Sequence, residues 1–248
     1  MDARQQAAVV ARKSHPDAAV VWLTGSAAHG TMGPRSDLDL IVLYPQLDRA
    51  WRSAFRHGDT PVEAFVHDPR TMRGVFERER AAGHATLATM VADGVQVAGN
   101  DAVLAAIAQR VAAALIAEGP PPLGDAELDW RRFAVGEQLD DLLDAAGQRQ
   151  RIAVAPALHR ALADLALRTA GAWSGVGKHL NTQLHRVRPD LARALDDALV
   201  LALAADGDPH PLADAATEVL DTVGGQATGP LRQDAPADWA DERGFGEL

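Results

Sequence analysis

The sequence predicts an α+β fold, a strand-and-helix domain of about 118 residues leading into an all-helical domain of about 100. Three observations carry this. Short apolar runs bounded by glycine and proline recur in the first half, at AAVVWL (18–23), LDLIVLY (38–44) and PVEAFVH (61–67). The stretch EGPPPLGD (118–125) holds three consecutive prolines, which cannot sit inside a helix, and reads as a linker. Beyond it only helical periodicity remains.

Taken in order, residues 2–14 read as a helix that stops before Pro16. Ala18–Leu23 is a short strand, and GSAAHG (25–30) is a turn able to open a short helix. Gly33 and Pro34 break the chain. Leu38–Tyr44 is apolar on both faces, as a central strand is, and Pro45 ends it. LDRAWRSAFRH (47–57) reads as a helix, Pro61–His67 as a third strand and 69–81 as a charged helix. HATLATMVADG (84–94) is a helix with a glycine stop, VQVA (95–98) an edge strand, and 101–118 a further helix. In the second half, 126–147, 155–171, 177–187, 190–206 and 210–223 all read as helices. The polar, Gly- and Pro-rich end reads as a flexible tail. The predicted bounds are 1–118, a linker at 119–125, a helical domain at 126–225 and the tail at 226–248.

Composition narrows the function classes. Hydrophobic residues make up 47% of the 248, enough for sizeable cores, and no run reaches membrane-spanning length. The N-terminal apolar stretch is too short for a signal peptide, so a soluble, cytoplasmic protein is expected. Cysteine is absent, which excludes disulfides and thiolate metal sites. The formal net charge of -10 opposes broad nucleic-acid binding and suits either solubility or a cationic small substrate. Only two lysines occur, Lys13 and Lys178, which draws attention to the second.

The chemistry gathers in TGSAAHGTMGPRSDLDLIVLY (24–44). Residues two apart on a strand point to one side, so Asp37 and Asp39 project together. Paired carboxylates are costly to keep ionised unless a cation lies between them, and an oxygen-preferring ion such as Mg²⁺ meets that need. The alternative is that each aspartate caps a turn or helix. Their place at the start of the strand argues against aspartate-nucleophile phosphatases and metal-dependent glycosyltransferases, where the acids follow a strand. Gly25 lets a ligand approach the backbone, and Ser26 stands where a helix would begin, a position that favours anions. Phosphate beside a metal suits a nucleoside triphosphate. A third carboxylate, needed for two metals, is Glu63 inside PVEAFVHD, with Asp68 as the fallback; Glu63 could also be an ordinary edge position. His29, His67, His84, His159, His179 and His185 show no ligand spacing with partner acids.

Together, G25-S26-x3-G30-x5-S36-D37-L38-D39-L40 and the later acidic strand resemble the DNA polymerase beta-type nucleotidyltransferase superfamily. The resemblance covers 18–68 well and extends more weakly through HATLATMVADGVQVAG. It implies a small mixed sheet with helices on one side, and transfer of a nucleoside monophosphate to a hydroxyl with loss of pyrophosphate. Asp37, Asp39 and Glu63 would then hold two Mg²⁺ ions. Gly25 and Ser26 would cradle the β- and γ-phosphates, with Ser36 of the motif beside them. The helical second half is similar in architecture to aminoglycoside nucleotidyltransferases of the kanamycin type, and to fusions of a minimal nucleotidyltransferase with a HEPN-like helical domain. In the aminoglycoside enzymes a glutamate of the helical region can act as base, and Glu137 is its counterpart here; the other reading is a solvated helix residue. In WSGVGKHLNTQL (173–184), glycines precede a helix whose first turn carries Lys178, placed to reach a nucleotide phosphate or simply exposed at a turn. Arg35 and Arg131/Arg132 are further candidates for phosphate.

The expected function is Mg²⁺-dependent transfer of AMP from ATP to a small, hydroxylated acceptor, with an aminoglycoside as the cationic example. One alternative is a protein-modifying AMP transferase of regulatory or antitoxin type. Another is a non-catalytic nucleotide-binding protein. The oligomeric state is left between monomer and homodimer.

Overall fold

The computed structural model describes residues 2–33, 35–232 and 234. Most of the tail predicted at 226–248 therefore lies outside the described residues. The chain divides into two compact units, one of Met1–Pro122 with Ala166–Pro189, the other of Leu123–Leu165 with the chain from Asp190 onward.

The first unit is built on a five-stranded sheet. Its elements run α1 (Ala3–Ser14), β1 (Val20–Thr24), α2 (Gly25–Ala28), β2 (Leu38–Leu43), β3 (Trp51–His57) and β4 (Thr60–His67). They continue with α3 (Pro69–Ala81), α4 (Thr86–Ala92), β5 (Val95–Gly99) and α5 (Ala102–Glu118). The strand order is β3-β4-β2-β1-β5. β2 is central, parallel to β4 and antiparallel to β1, so the sheet is mixed. Five of the six β2 residues are buried, which is why its sequence is apolar on both faces. The exception is Asp39.

Alternation sorts the strand side chains onto two cores. Val21, Leu23, Leu40, Val42, Val62 and Val66 face one way and pack with Ala7, Val10 and Ala11 of α1. Trp22, Ile41 and Leu43 face the other way, against Met72 and Phe76 of α3, Leu87 and Val91 of α4, and Ala105 and Ala108 of α5. Helices thus cover both faces, not the single face implied by the resemblance. An extra N-terminal helix, α1, closes the second one. Its start is fixed by a capping box between Asp2 and Gln5.

The helix expected over 47–57 is instead strand β3, hairpinned to β4 through Gly58-Asp59. Gly58 has φ +60°, and among the described residues no non-glycine has positive φ. A two-residue loop with glycine first matches the twist of paired strands. The alternation of WRSAFRH and the Gly-Asp pair are the strand signals that the apolar spacing of Leu47, Trp51 and Phe55 obscures.

The segment Ala166–Pro189 belongs to this unit, and carries the end of α7 (Gln148–Thr169) and all of α8 (Lys178–Val187). Trp173 donates its indole N–H to the Ile116 carbonyl at 3.0 Å, and the Ser174 N–H bonds the Gly83 carbonyl at 2.9 Å. Buried Arg168 donates to the Pro121 carbonyl at 2.8 Å. A Cβ on Gly83 would lie 2.5 Å from the Arg168 Nε, so only glycine admits that guanidinium.

The second unit is helical: α6 (Asp125–Leu143), most of α7, α9 (Pro189–Leu203) and α10 (His210–Asp221). Leu139, Leu142, Leu158, Leu162, Leu195 and Leu212 are buried in it. The buried Arg151 of α7 donates to the Ala202, Ala204 and Ala205 carbonyls, capping the end of α9 where carbonyls lack helical partners. Arg131 and Arg132 are likewise spent on pairing within this unit, Arg131 with Asp164 and Glu127 and Arg132 with Asp129. Among the described residues no helix is long and apolar enough to cross a membrane.

Asp68 is the N-cap of α3. Its carboxylate accepts from the Thr71 N–H at 2.8 Å, the Thr71 hydroxyl at 2.7 Å and the Leu47 N–H at 3.2 Å. Burial works against its ionisation, but these bonds and the Arg70 charge outweigh it and hold the carboxyl below its usual range. A depressed folded-state pKa stabilises the fold above the unfolded pKa, and that stability is lost as pH falls through the folded value. Asp68→Ala is expected to cost about 1–2 kcal/mol in urea unfolding at neutral pH. Its stability is also expected to decline less steeply than the wild type's as pH drops below the ordinary carboxylate range.

Candidate nucleotidyl-transfer site

The site forms where β1 ends and β2 begins. Strand register places Thr24 of β1 beside Asp39 of β2, Asp39 beside Glu63 of β4, and Glu63 beside Ala54 of β3. Paired residues share a face, so Asp39 and Glu63 project together, and Asp37 joins them two residues before Asp39. One carboxylate oxygen from each of Asp37, Asp39 and Glu63 falls within 4.8 Å of the others. All three residues are half-buried. Burial, then the charges of Asp37 and Glu63, push the Asp39 carboxyl up to about 6, while Lys178 and Arg52 pull against that rise. An all-oxygen donor set with unbalanced negative charge fits a hard divalent cation.

The residues between β1 and β2 bring Gly25, Ser26, Gly33, Arg35 and Ser36 to this edge. Gly25 has φ +66°, and a Cβ there would lie 2.5 Å from Asp39 Oδ2. Glycine is therefore needed both for the backbone conformation and for the close approach of the carboxylate. α2 is only four residues long, and the Ser26 carbonyl accepts from the Thr31 N–H at 3.0 Å. Ser36 accepts from the Gly33 N–H at 2.8 Å through its hydroxyl, while its own N–H bonds the Gly33 carbonyl at 3.0 Å. The Ser36 hydroxyl thus pins the turn that delivers Asp37.

A cleft of about 520 Å³ opens at Asp37 and Asp39, with Glu63 behind its lining, within the usual size of small-molecule sites. Gly25, Ser26, Arg35, Ser36, Asp37, Asp39 and Lys178 line it, all singled out from the sequence. Gly33 and His179 line it as well. The lining is bipolar, with the half-buried carboxylates of Asp37 and Asp39 and the exposed Arg35 and Lys178. Lys178 stands 139 positions after Asp39 in the chain; the Trp173, Ser174 and Arg168 bonds described above tie its segment to the end of α5, the turn after α3 and Pro121. Glu137 is an exposed residue of α6 in the second unit.

Sequence reasoning missed Arg52, which forms an ion pair with Glu63 through Nε. It lay hidden because β3 was read as a helix. In the strand, Arg52 sits opposite Phe65, one alternation step from Glu63. His179 carried no spacing signal, and only its adjacency to Lys178 could have flagged it.

Residues 4–82 match the family model described as a nucleotidyltransferase domain. Among solved structures, the chain is similar to a nucleotidyltransferase-like protein from Exiguobacterium sibiricum 255-15, at 11% identity and a TM-score of 0.45. That likeness covers 88% of this chain and 74% of the other. No curated protein sequence matches. Residues 4–82 of the chain thus carry a nucleotidyltransferase domain.

The close approach of Gly25 to Asp39 gives a direct test. Gly25→Ala is expected to lower transfer activity at least about tenfold, by strain and by displacing the Asp39 carboxylate. Gly30 also has positive φ, +69°, but nothing lies within 4 Å of a Cβ there. Gly30→Ala is therefore expected to cost stability alone, so initial rates and urea midpoints of the two variants separate strain from the Asp39 contact.

Proposed function

We propose that this nucleotidyltransferase moves AMP from ATP to a hydroxyl of a small cationic acceptor, an aminoglycoside being the model case, with Mg²⁺ held by Asp37, Asp39 and Glu63. The observation that carries the reading is the meeting of these three carboxylates within 4.8 Å beside the Gly25–Ser26 turn and Lys178. The net charge of -10 favours a cationic acceptor over an anionic one.

In the reaction, the acceptor oxygen attacks the α-phosphorus, the bond to the α–β bridging oxygen breaks, and pyrophosphate leaves. The hydroxyl proton passes to a base. Mg²⁺ bound at the carboxylates supplies charge neutralisation on the phosphates and a lowered pKa for the attacking hydroxyl. The chain's own part is to position. Gly25 exposes backbone for the triphosphate to approach, and Ser26 adds a hydroxyl. Ser36 holds the turn that orients Asp37. Lys178 and Arg35 offer positive charge to the β- and γ-phosphates.

With labelled ATP and Mg²⁺, label is expected on a soluble aminoglycoside from a mixed panel, with stoichiometric pyrophosphate. Label on a polypeptide of a cell extract would instead identify a protein-modifying enzyme. Tight ATP binding without pyrophosphate release from any acceptor would identify a nucleotide-binding protein. Asp37→Asn is expected to cut pyrophosphate release at least about a hundredfold while leaving the circular-dichroism melt unchanged. Lys178→Ala is expected to raise the KM for ATP about five- to tenfold with a smaller change in kcat, and Lys178→Arg to recover much of it.

A further inference from the structure

The Glu63 carboxylate already has a cation. Arg52, on the neighbouring edge strand β3, pairs with its Oε1 through Nε. The guanidinium is held there by more than the ion pair. Arg52 lies directly across from Phe65, and its Cζ sits 5.0 Å from the Phe65 ring centroid, a cation–π distance. Phe65 and Glu63 are two apart on β4 and share a face, so one guanidinium covers the ring and meets the acid together. The two ends of the pair differ in exposure. The Arg52 side chain is 64% exposed, whereas that of Glu63 is 18% exposed. Arg52 can therefore swing into water at small cost, while Glu63 stays fixed beside Asp39.

We propose that Arg52 is a built-in counter-cation for the third carboxylate, holding Glu63 in place before a metal binds and competing with the divalent ion for it. This rests on the metal assignment made above for Asp37, Asp39 and Glu63. Arg52 is a positioning residue that acts through Glu63. It neutralises one of three crowded carboxylates, which keeps the triad in register before the ion arrives. The same charge sets a threshold, because the incoming dication must displace it from Glu63 or share the carboxylate with it. The site therefore takes its metal less tightly than three free carboxylates would.

The test is Mn²⁺ binding to the full-length protein without nucleotide, by calorimetry and by loss of the free-Mn²⁺ electron paramagnetic resonance signal. Arg52→Ala is expected to bind Mn²⁺ about three- to tenfold more tightly than wild type, the scale of a partly exposed ion pair acting on a dication. Arg52→Lys keeps the charge and is expected to stay within about twofold of wild type. Glu63→Gln is expected to weaken binding, and Arg52→Ala added to it to give no further gain. Should Arg52→Ala lower the melting temperature, Arg52→Gln keeps the cover over Phe65 without the charge and reads the same competition. Binding by the neutral variants equal to or weaker than wild type overturns the proposal, and if Glu63→Gln still weakens binding the metal assignment survives. Wild type and Asp37→Asn binding Mn²⁺ alike would overturn the metal assignment and this proposal together.

Discussion

The repulsion among Asp37, Asp39 and Glu63 is the constraint on which the rest of the first unit turns. Parallel pairing of β2 with β4 forces Asp39 and Glu63 side by side, and no side-chain rotation on one face of a sheet can separate them far. The surrounding structure accepts this crowding and answers it with opposite charge. Arg52 reaches Glu63 from the outer strand, Lys178 approaches Asp39 from a distant segment, and a bound dication would complete the balance. The strands beneath are buried and apolar, so the register that creates the repulsion is fixed by hydrophobic packing and cannot slip to relieve it. Folding energy elsewhere thus sustains a local arrangement that is unfavourable on its own.

Much of this was legible in the sequence, and the reasons are specific. β2 was visible because burial on both faces leaves an uninterrupted apolar run, and Asp39 was visible as its one violation. Gly25 and Ser36 showed through motif spacing, since a tight turn and a close approach leave few residue choices. α3 was bounded by Pro69 at its first position, a local signal, whereas Asp68, read as a fallback third carboxylate, is its N-cap. β3 was not legible, because its Trp51 and Phe55, with Leu47 before it, imitate a helical face. What makes it a strand is pairing with β4, a non-local cause. Arg52 was lost with it. The covering of the second sheet face by α1 was also unforeseen, since a helix's amphipathic stripe does not say which surface it will meet.

Lys178 illustrates a different limit. Its rarity marked it, but rarity has no geometry. Its position follows from an indole bonded to a helix-end carbonyl, a serine amide on the Gly83 carbonyl and a guanidinium that fits only over glycine. None of these is written in any local pattern around residue 178. They are contacts between segments more than forty residues apart, each made by a polar group meeting a backbone carbonyl at a helix end, in a turn or in a loop.

That stitching bears on how the protein is made. The sheet and its carboxylates lie within residues 20–99 of the chain, yet their unit is completed by Ala166–Pro189, after 43 residues of the other unit, Leu123–Leu165, have intervened. During synthesis the nascent sheet can assemble early, because its strands lie close together in sequence. Arg35 of the cleft is made with the first strands, but Lys178 cannot be added until residue 178 has emerged from the ribosome. For the interval of translation between those points, the emerging polypeptide holds its acidic cluster without the lysine that faces it, so maturation of the site is timed by chain elongation.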